Sequence, residues 1–193
     1  METAASRAAL IGVLQAAYSG ELAAAYAYRG HWRSLWRDKR RSARAEIMRI
    51  EEAEWHHRNL IGIMLEELGA RPQRWREAVM WTIGRFFGAL CFVSGFFGPM
   101  YAAGRLEASN VDQYVDARRH ALACGFARYA AQLVDMVEEE ARHERFFGDQ
   151  VRGHLLLPVA RMVGRWSPPP AALPEEIGPS AMQQQQVAAG EDL

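Results

Sequence analysis

Taken in steps of three and four residues, the spacing that keeps side chains on one face of a helix, the segment from 47 to 68 gives Ile47, Ile50, Glu54, His57, Ile61, Met64 and Leu68. Two ionisable groups interrupt five apolar ones. The same walk further along gives Phe126, Tyr129, Leu133, Met136, Glu140, His143 and Phe147, again with a Glu and a His three apart. Stripping a carboxylate of water costs several kcal/mol that ordinary packing does not return. Any fold that buries these stripes must therefore bring their charged members to something that neutralises them.

Two more segments carry a comparable stripe. The first runs Leu10, Leu14, Ala17, Glu21, Ala24, Tyr28, and the other runs Met100, Ala103, Glu107, Asn110, Tyr114, Ala117, Ala121. Each holds a single Glu. Glu54 stands 33 residues after Glu21, and Glu140 stands 33 after Glu107, so the chain repeats the order Glu, then Glu-x-x-His. Residue similarity between the halves is otherwise slight.

A lone Glu-x-x-His is common by chance and is usually a solvated helix face. Two of them, each preceded at the same distance by a Glu in core register, point to metal. Four carboxylates and two imidazoles suit two divalent ions with bridging carboxylates, the arrangement of ferritin-like di-iron and di-manganese bundles. The expected ligands are Glu21, Glu54, His57, Glu107, Glu140 and His143. Oxygen and nitrogen donors of this kind favour iron or manganese over thiolate-seeking metals, and iron is the choice made here. Glu51, Glu52, His56, Glu138, Glu139 and Glu144 fall off the stripes and are expected to be solvated or to support the ligands from behind.

Helix formers dominate the rest of the chain, and Gly and Pro clusters punctuate it. The spacing predicts an all-α chain: a four-helix bundle with an additional apolar helix and a short C-terminal one. The expected spans are 3–36, 40–68, 74–97, 100–123, 126–148 and 151–166. Residues 1–166 would form one domain, and 167–193, rich in Pro, Gln and small residues, a disordered tail.

Equal numbers of basic and acidic residues, 23 of each, give no field that would favour nucleic acid. Cys91 and Cys124 lie in apolar contexts without paired spacing, so no disulfide framework is expected. The run Ala8–Tyr18 is weakly apolar, but Glu2 is acidic where a secretory leader would be basic, and the run continues in helical register to Glu21. It is expected to be a bundle helix. Residues 86–104 lack charge, yet Gly88, Gly95, Gly98 and Pro99 interrupt them, which suits a buried or membrane-surface helix better than a spanning one. The basic run Arg33–Arg44, with Trp32 and Trp36 beside it, is expected to be an exposed interhelical loop, with contact to anionic head groups as the alternative.

The stretches "SGELAAAYAYRG" (Ser19–Gly30), "EWHH" followed by "LEELGARP", "LEASNVDQY" (Leu106–Tyr114) and "EARHERF" (Glu140–Phe146) resemble, in order and spacing, the demethoxyubiquinone hydroxylase family, also called the Coq7 family. The resemblance covers most of residues 10–166. It implies that the six residues above bind two iron ions, with Glu54 and Glu140 as bridges, and that Tyr28 and Tyr114 stand beside the centre. It implies an oxygen-dependent hydroxylation of a polyprenylated quinone ring in ubiquinone synthesis, with NADH or the quinol as reductant. An apolar groove, for which the segment around Phe86, Phe87, Phe92, Phe96 and Phe97 is the candidate, would hold the isoprenoid; core packing or an oligomer interface is the equal alternative for that segment. The enzyme would sit in the cytoplasm, peripheral at the inner membrane face, as a homo-oligomer or with an accessory lipid-binding protein. The chain departs from the family where a second acid and a His usually follow the fourth-helix Glu; Ala108 and Gln113 stand there. Two other readings fit the same ligands: an iron-oxidising or iron-storing protein, and a membrane-associated helical scaffold without activity.

Overall fold

The computed structural model describes residues 2–37 and 40–171; of the tail expected over 167–193, residues 172–193 lie outside them. Six helices account for the described structure: α1 (Glu2–Ser34), α2 (Arg41–Glu67), α3 (Arg74–Leu90), α4 (Phe97–Ala123), α5 (Ala127–Val151) and α6 (Leu157–Gly164). A short 3-10 turn, Leu35–Arg37, follows α1. No strand occurs among the described residues. The chain is an all-α helical bundle.

The helix ends follow local chemistry. Past α2, Gly69 adopts φ 67°, its N–H donates to the Glu66 carbonyl at 2.8 Å, and the Ala70 N–H donates to Leu65 at 2.8 Å. Gly125, φ 78°, closes α4 in the same way through Leu122 and Ala121. These paired bonds satisfy carbonyls that a helix end would otherwise leave without donors. The apolar stretch expected to run as one helix to residue 97 ends instead at Leu90, and Gly95, φ 71°, turns the chain into α4. Pro99 then falls in the first turn of α4, where its missing N–H has no intrahelical acceptor to lose. The last helix is also shorter than expected, and the basic run is mostly helical: Arg33 lies in α1 and Arg41–Arg44 in α2.

α1 pairs with α2 and α4 with α5, and the two hairpins meet through α1 with α4 and α2 with α5. Their inward stripes are those read from the sequence; only Phe126 and Asn110 remain partly exposed. The apolar core divides into two clusters. At one end Leu10, Leu14, Ile61, Met64, Tyr114, Leu133 and Met136 pack together; at the other, Tyr28, Ile47, Ile50, Met100, Phe147, Val151 and Trp166. The Glu and His side chains occupy the layer between. α1 is long and apolar enough by composition to cross a membrane, yet it places Glu21 in this layer and buries Leu10, Leu14 and Ala17 against its neighbours.

α3 lies outside the four-helix core and packs on α1. The approach depends on missing side chains. A Cβ at Gly84 would sit 2.4 Å from the Ala23 carbonyl, and one at Gly30 only 2.3 Å from the Gly88 Cα. Backbone is the obstacle, so it cannot swing aside. Gly84→Ala is expected to lift α3 from α1 at a cost of about 1–3 kcal/mol. Faster amide exchange confined to α3, with metal binding retained, is the expected signature.

Candidate metal centre

Each half of the bundle delivers its candidate ligands by the same local route. Glu-x-x-His on α2 places Glu54 and His57 on one face about one turn apart, and α5 does the same with Glu140 and His143. α1 and α4 supply Glu21 and Glu107 opposite them. All six residues are buried. One ligand atom each from Glu21, Glu54, His57 and Glu140 lies within 4.8 Å of the others, and the same holds for Glu54, Glu107, Glu140 and His143. Glu54 and Glu140 belong to both groups, the position bridging carboxylates would take.

Several polar atoms of this layer have no hydrogen-bond partner. Both oxygens of Glu54, Oε2 of Glu21, Oε1 of Glu140 and the Nδ1 atoms of His57 and His143 are buried without a hydrogen-bond partner. His57 Nδ1 and Glu140 Oε1 approach to 3.0 Å but do not align as donor and acceptor. Buried polar atoms are paired in nearly all proteins. Six of them converging on one layer fit divalent cations, because each of these atoms, once deprotonated, offers a lone pair to the layer.

Burial is the first cause pushing the carboxyls of Glu21, Glu54 and Glu107 well above the ordinary carboxylate range, and the neighbouring carboxylates add to it. Burial acts on Glu140 in the same direction, but the influence of Glu107, His143 and His57 beside it outweighs it and holds Glu140 low. For His57 burial acts downward, while Glu139 and Glu140 outweigh it and raise the imidazole to about 10. Without metal the cluster thus keeps protons to offset its charge. A divalent cation held there would displace them.

The two halves are related in space as well as in sequence. Tyr28 donates its hydroxyl to Glu107, and Tyr114 donates to Glu21. Each tyrosine of one half thus serves the carboxylate of the other. Members of each pair (Glu21 and Glu107, Tyr28 and Tyr114, Glu54 and Glu140, His57 and His143) stand 86 residues apart. Burial first, then the charge of Glu107 and Glu54, holds Tyr28 protonated. Tyr28→Phe would leave a buried Glu107 oxygen without its donor. The metal-free variant is expected to unfold about 1–3 kcal/mol more easily, as thermal or urea unfolding would show.

The residues behind the ligands divide. Glu52, His56 and Glu138 are solvent-exposed, as expected. Glu139 accepts from His57 Nε2 at 3.0 Å, and Glu144 accepts from Trp166 Nε1 at 2.8 Å. Glu51 is buried between Arg29 Nε at 2.6 Å and Trp32 Nε1 at 2.7 Å. Its role in tying α1 to α2 had no signal in the stripe, because it sits on the flank of α2. His31 was also missed. It is buried against Phe147, its Nε2 has no partner, and burial lowers its pKa to about 4.

A surface cleft of about 770 Å³, lined by Tyr18, Trp55, Arg58 and the α2–α3 connection, contains none of the six ligand residues and is separate from the centre. Cys91 and Cys124 are not joined in a disulfide. Comparison of the chain with protein-family models, with curated proteins and with solved structures finds no match in any of the three.

Proposed function

We propose that the chain is a di-iron monooxygenase that hydroxylates the ring of a polyprenylated quinone. The observation that carries the proposal is the pair of overlapping four-residue groups sharing Glu54 and Glu140 in a dry layer between two apolar clusters. The donor set suits iron, which when bound would supply the electrons for reducing dioxygen.

What the chain itself contributes follows from the residues. Six side chains fix the coordination from four helices, so their positions are set by the core and not by loops. Tyr28 and Tyr114 hold protons at carboxylates that would carry charge, and Ile50, Ile61, Leu133 and Met136, fully or almost fully buried, exclude water on either side. Asn110 fills part of the region that the Ala108 and Gln113 departures leave without an acid and a His. Its amide donates to Glu107 Oε2 and Glu140 Oε2 at 3.5 and 3.4 Å.

Support for a bilayer-resident substrate comes from the outer surface. Trp75, Val79, Ile83, Phe86, Phe87 and Leu90 are exposed along α3, followed by Phe92 and Val93. Phe96 and Phe97, by contrast, pack partly into the core at the start of α4. An exposed apolar face of this size is costly in water and suits lipid. The exposed residues belong to a helix that packs on α1 and is tied to α2 by the Arg58–Glu77 ion pair, outside the metal layer, so they can enter an interface without disturbing it. On this basis the protein works at a membrane surface.

The test is anaerobic loading with Fe(II), then labelled dioxygen and a short-chain quinone lacking the ring hydroxyl. Product carrying one labelled oxygen supports the proposal. Oxygen consumption with no quinone product would sink the substrate class and leave an iron-oxidising protein. In parallel, Phe86→Glu with Phe87→Glu is expected to cut binding to anionic vesicles by tenfold or more, roughly the loss of two buried aromatic side chains. Metal content should not change.

A further inference from the structure

The two-fold relation between the halves is not exact, and the exceptions fall beside the metal positions. The residue before Glu140 is Glu139, whereas its counterpart before Glu54 is Ala53. Asn110 on α4 likewise corresponds to Ala24 on α1. Both differences act on the ligands.

His57 is completely buried, and its Nε2 meets Glu139 Oε2 at 3.0 Å. A carboxylate there holds the ring by its Nε2 edge and sets Nδ1 inward, 3.0 Å from Glu140 Oε1, as the atom that would meet a metal. His143 has no such brace. Among the described residues no carboxylate meets its Nε2, its Nδ1 stands farther off at 3.8 Å from Glu140 and 4.0 Å from Glu54, and it retains some exposure. On the same side, the Asn110 amide engages Glu107 Oε2 and Glu140 Oε2, which a metal at that position would need.

Resting on the dinuclear reading above, we propose that the two metal positions are unequal. Glu139 is a positioning residue that makes the Glu21/His57 position the tighter and first-filled one, while the Glu107/His143 position fills second. The physical reason is preorganisation: Glu139 already holds the His57 ring with Nδ1 inward, whereas His143 must be oriented on binding, and Asn110 must release its oxygens. Glu139 performs this from the rim, with about a third of its side chain exposed and Arg142 4.0 Å away.

The experiment is anaerobic calorimetric titration of the metal-free full chain with Co(II), with the visible spectrum of bound Co(II) as a second readout. Loss of a carboxylate partner of this kind typically weakens metal by ~10–100-fold. The native chain should fill in two separable steps. Glu139→Ala should weaken the tight step by ~10–100-fold and leave the weak one in place. Ala53→Glu, which puts a carboxylate at the equivalent point beside His143, should strengthen the weak step instead. His57→Ala should abolish the tight step and His143→Ala the weak one, which assigns each step to its position. Equal steps in the native chain, or a Glu139→Ala variant in which both steps weaken alike or neither changes, would overturn the proposal while leaving a two-metal centre intact. Absence of any Co(II) binding would overturn the centre itself, and the proposal with it.

Discussion

Glu54→Leu is expected to abolish metal binding and at the same time to stabilise the metal-free chain. The two effects share one cause. Glu54 belongs to both groups of ligands, so its loss damages both positions and bound iron should fall from about two per chain to near zero. In the metal-free protein the same side chain is fully buried, its pKa is pushed up by burial and by the facing Glu21, and neither of its oxygens has a hydrogen-bond partner. Leu fills similar volume without polar atoms. Each unsatisfied buried polar group costs about 1–3 kcal/mol, and replacing buried ionisable groups by apolar ones is often stabilising. A gain of about 1–3 kcal/mol would raise the melting temperature by roughly 2–4 °C per kcal/mol in a chain of this size. Iron analysis after anaerobic loading and desalting, beside calorimetric unfolding of both metal-free proteins, checks it. Glu21→Ala and Glu107→Ala are the controls, since each belongs to one group only and should leave one position able to bind. Normal iron content in Glu54→Leu would remove Glu54 from the ligand set.

The second large effect is thermal stabilisation by metal, and it should grow with pH. A bound ligand at about 100 times its Kd adds ~2.7 kcal/mol per site, so two filled positions would raise the melting temperature by roughly 10–20 °C. The pH dependence follows from the direction of each shift. Glu21, Glu54 and Glu107 keep protons in the folded chain that the unfolded chain releases near 4.5, so their contribution falls as pH rises. His57, raised to about 10 from 6.5, contributes fully below 6.5 and loses that contribution towards 10. His31, lowered to about 4, works in the opposite sense, but only between 4 and 6.5. From pH 6.5 to about 8.5 the metal-free chain should therefore lose stability while metal, no longer competing with protons, binds more tightly. Melting curves with and without Mn(II) should diverge across this window. Parallel curves would mean that the buried carboxyls and His57 are not the groups whose protons the metal displaces.

How much of this was legible beforehand differs from residue to residue. The four stripes were, because a buried helix face must be apolar at every third or fourth position, and Glu21, Glu54, His57, Glu107, Glu140 and His143 stood out as violations of that rule. The end of α2 was legible for a similar local reason, since Gly69 supplies the left-handed turn that closes it. The end of α3 was not. Nothing in the apolar run from Phe86 to Gly104 distinguishes Leu90 from Phe97, and the break depends on how Gly84 and Gly88 seat the helix on α1 while Phe96 and Phe97 turn inward.

The amino-acid order by itself determined the all-α class, the inward register of four helices and the six ionisable residues that share it, because helical periodicity and the cost of burying charge are local properties of a sequence. Only the tertiary structure decided which hydroxyl meets which carboxylate, that Tyr28 reaches Glu107 and Tyr114 reaches Glu21, and that Glu139 braces His57 while no carboxylate among the described residues braces His143 in the same way. Those contacts cross between helices 79, 93 and 82 residues apart. Their geometry is set by the way the two hairpins dock, which no spacing within one helix can specify.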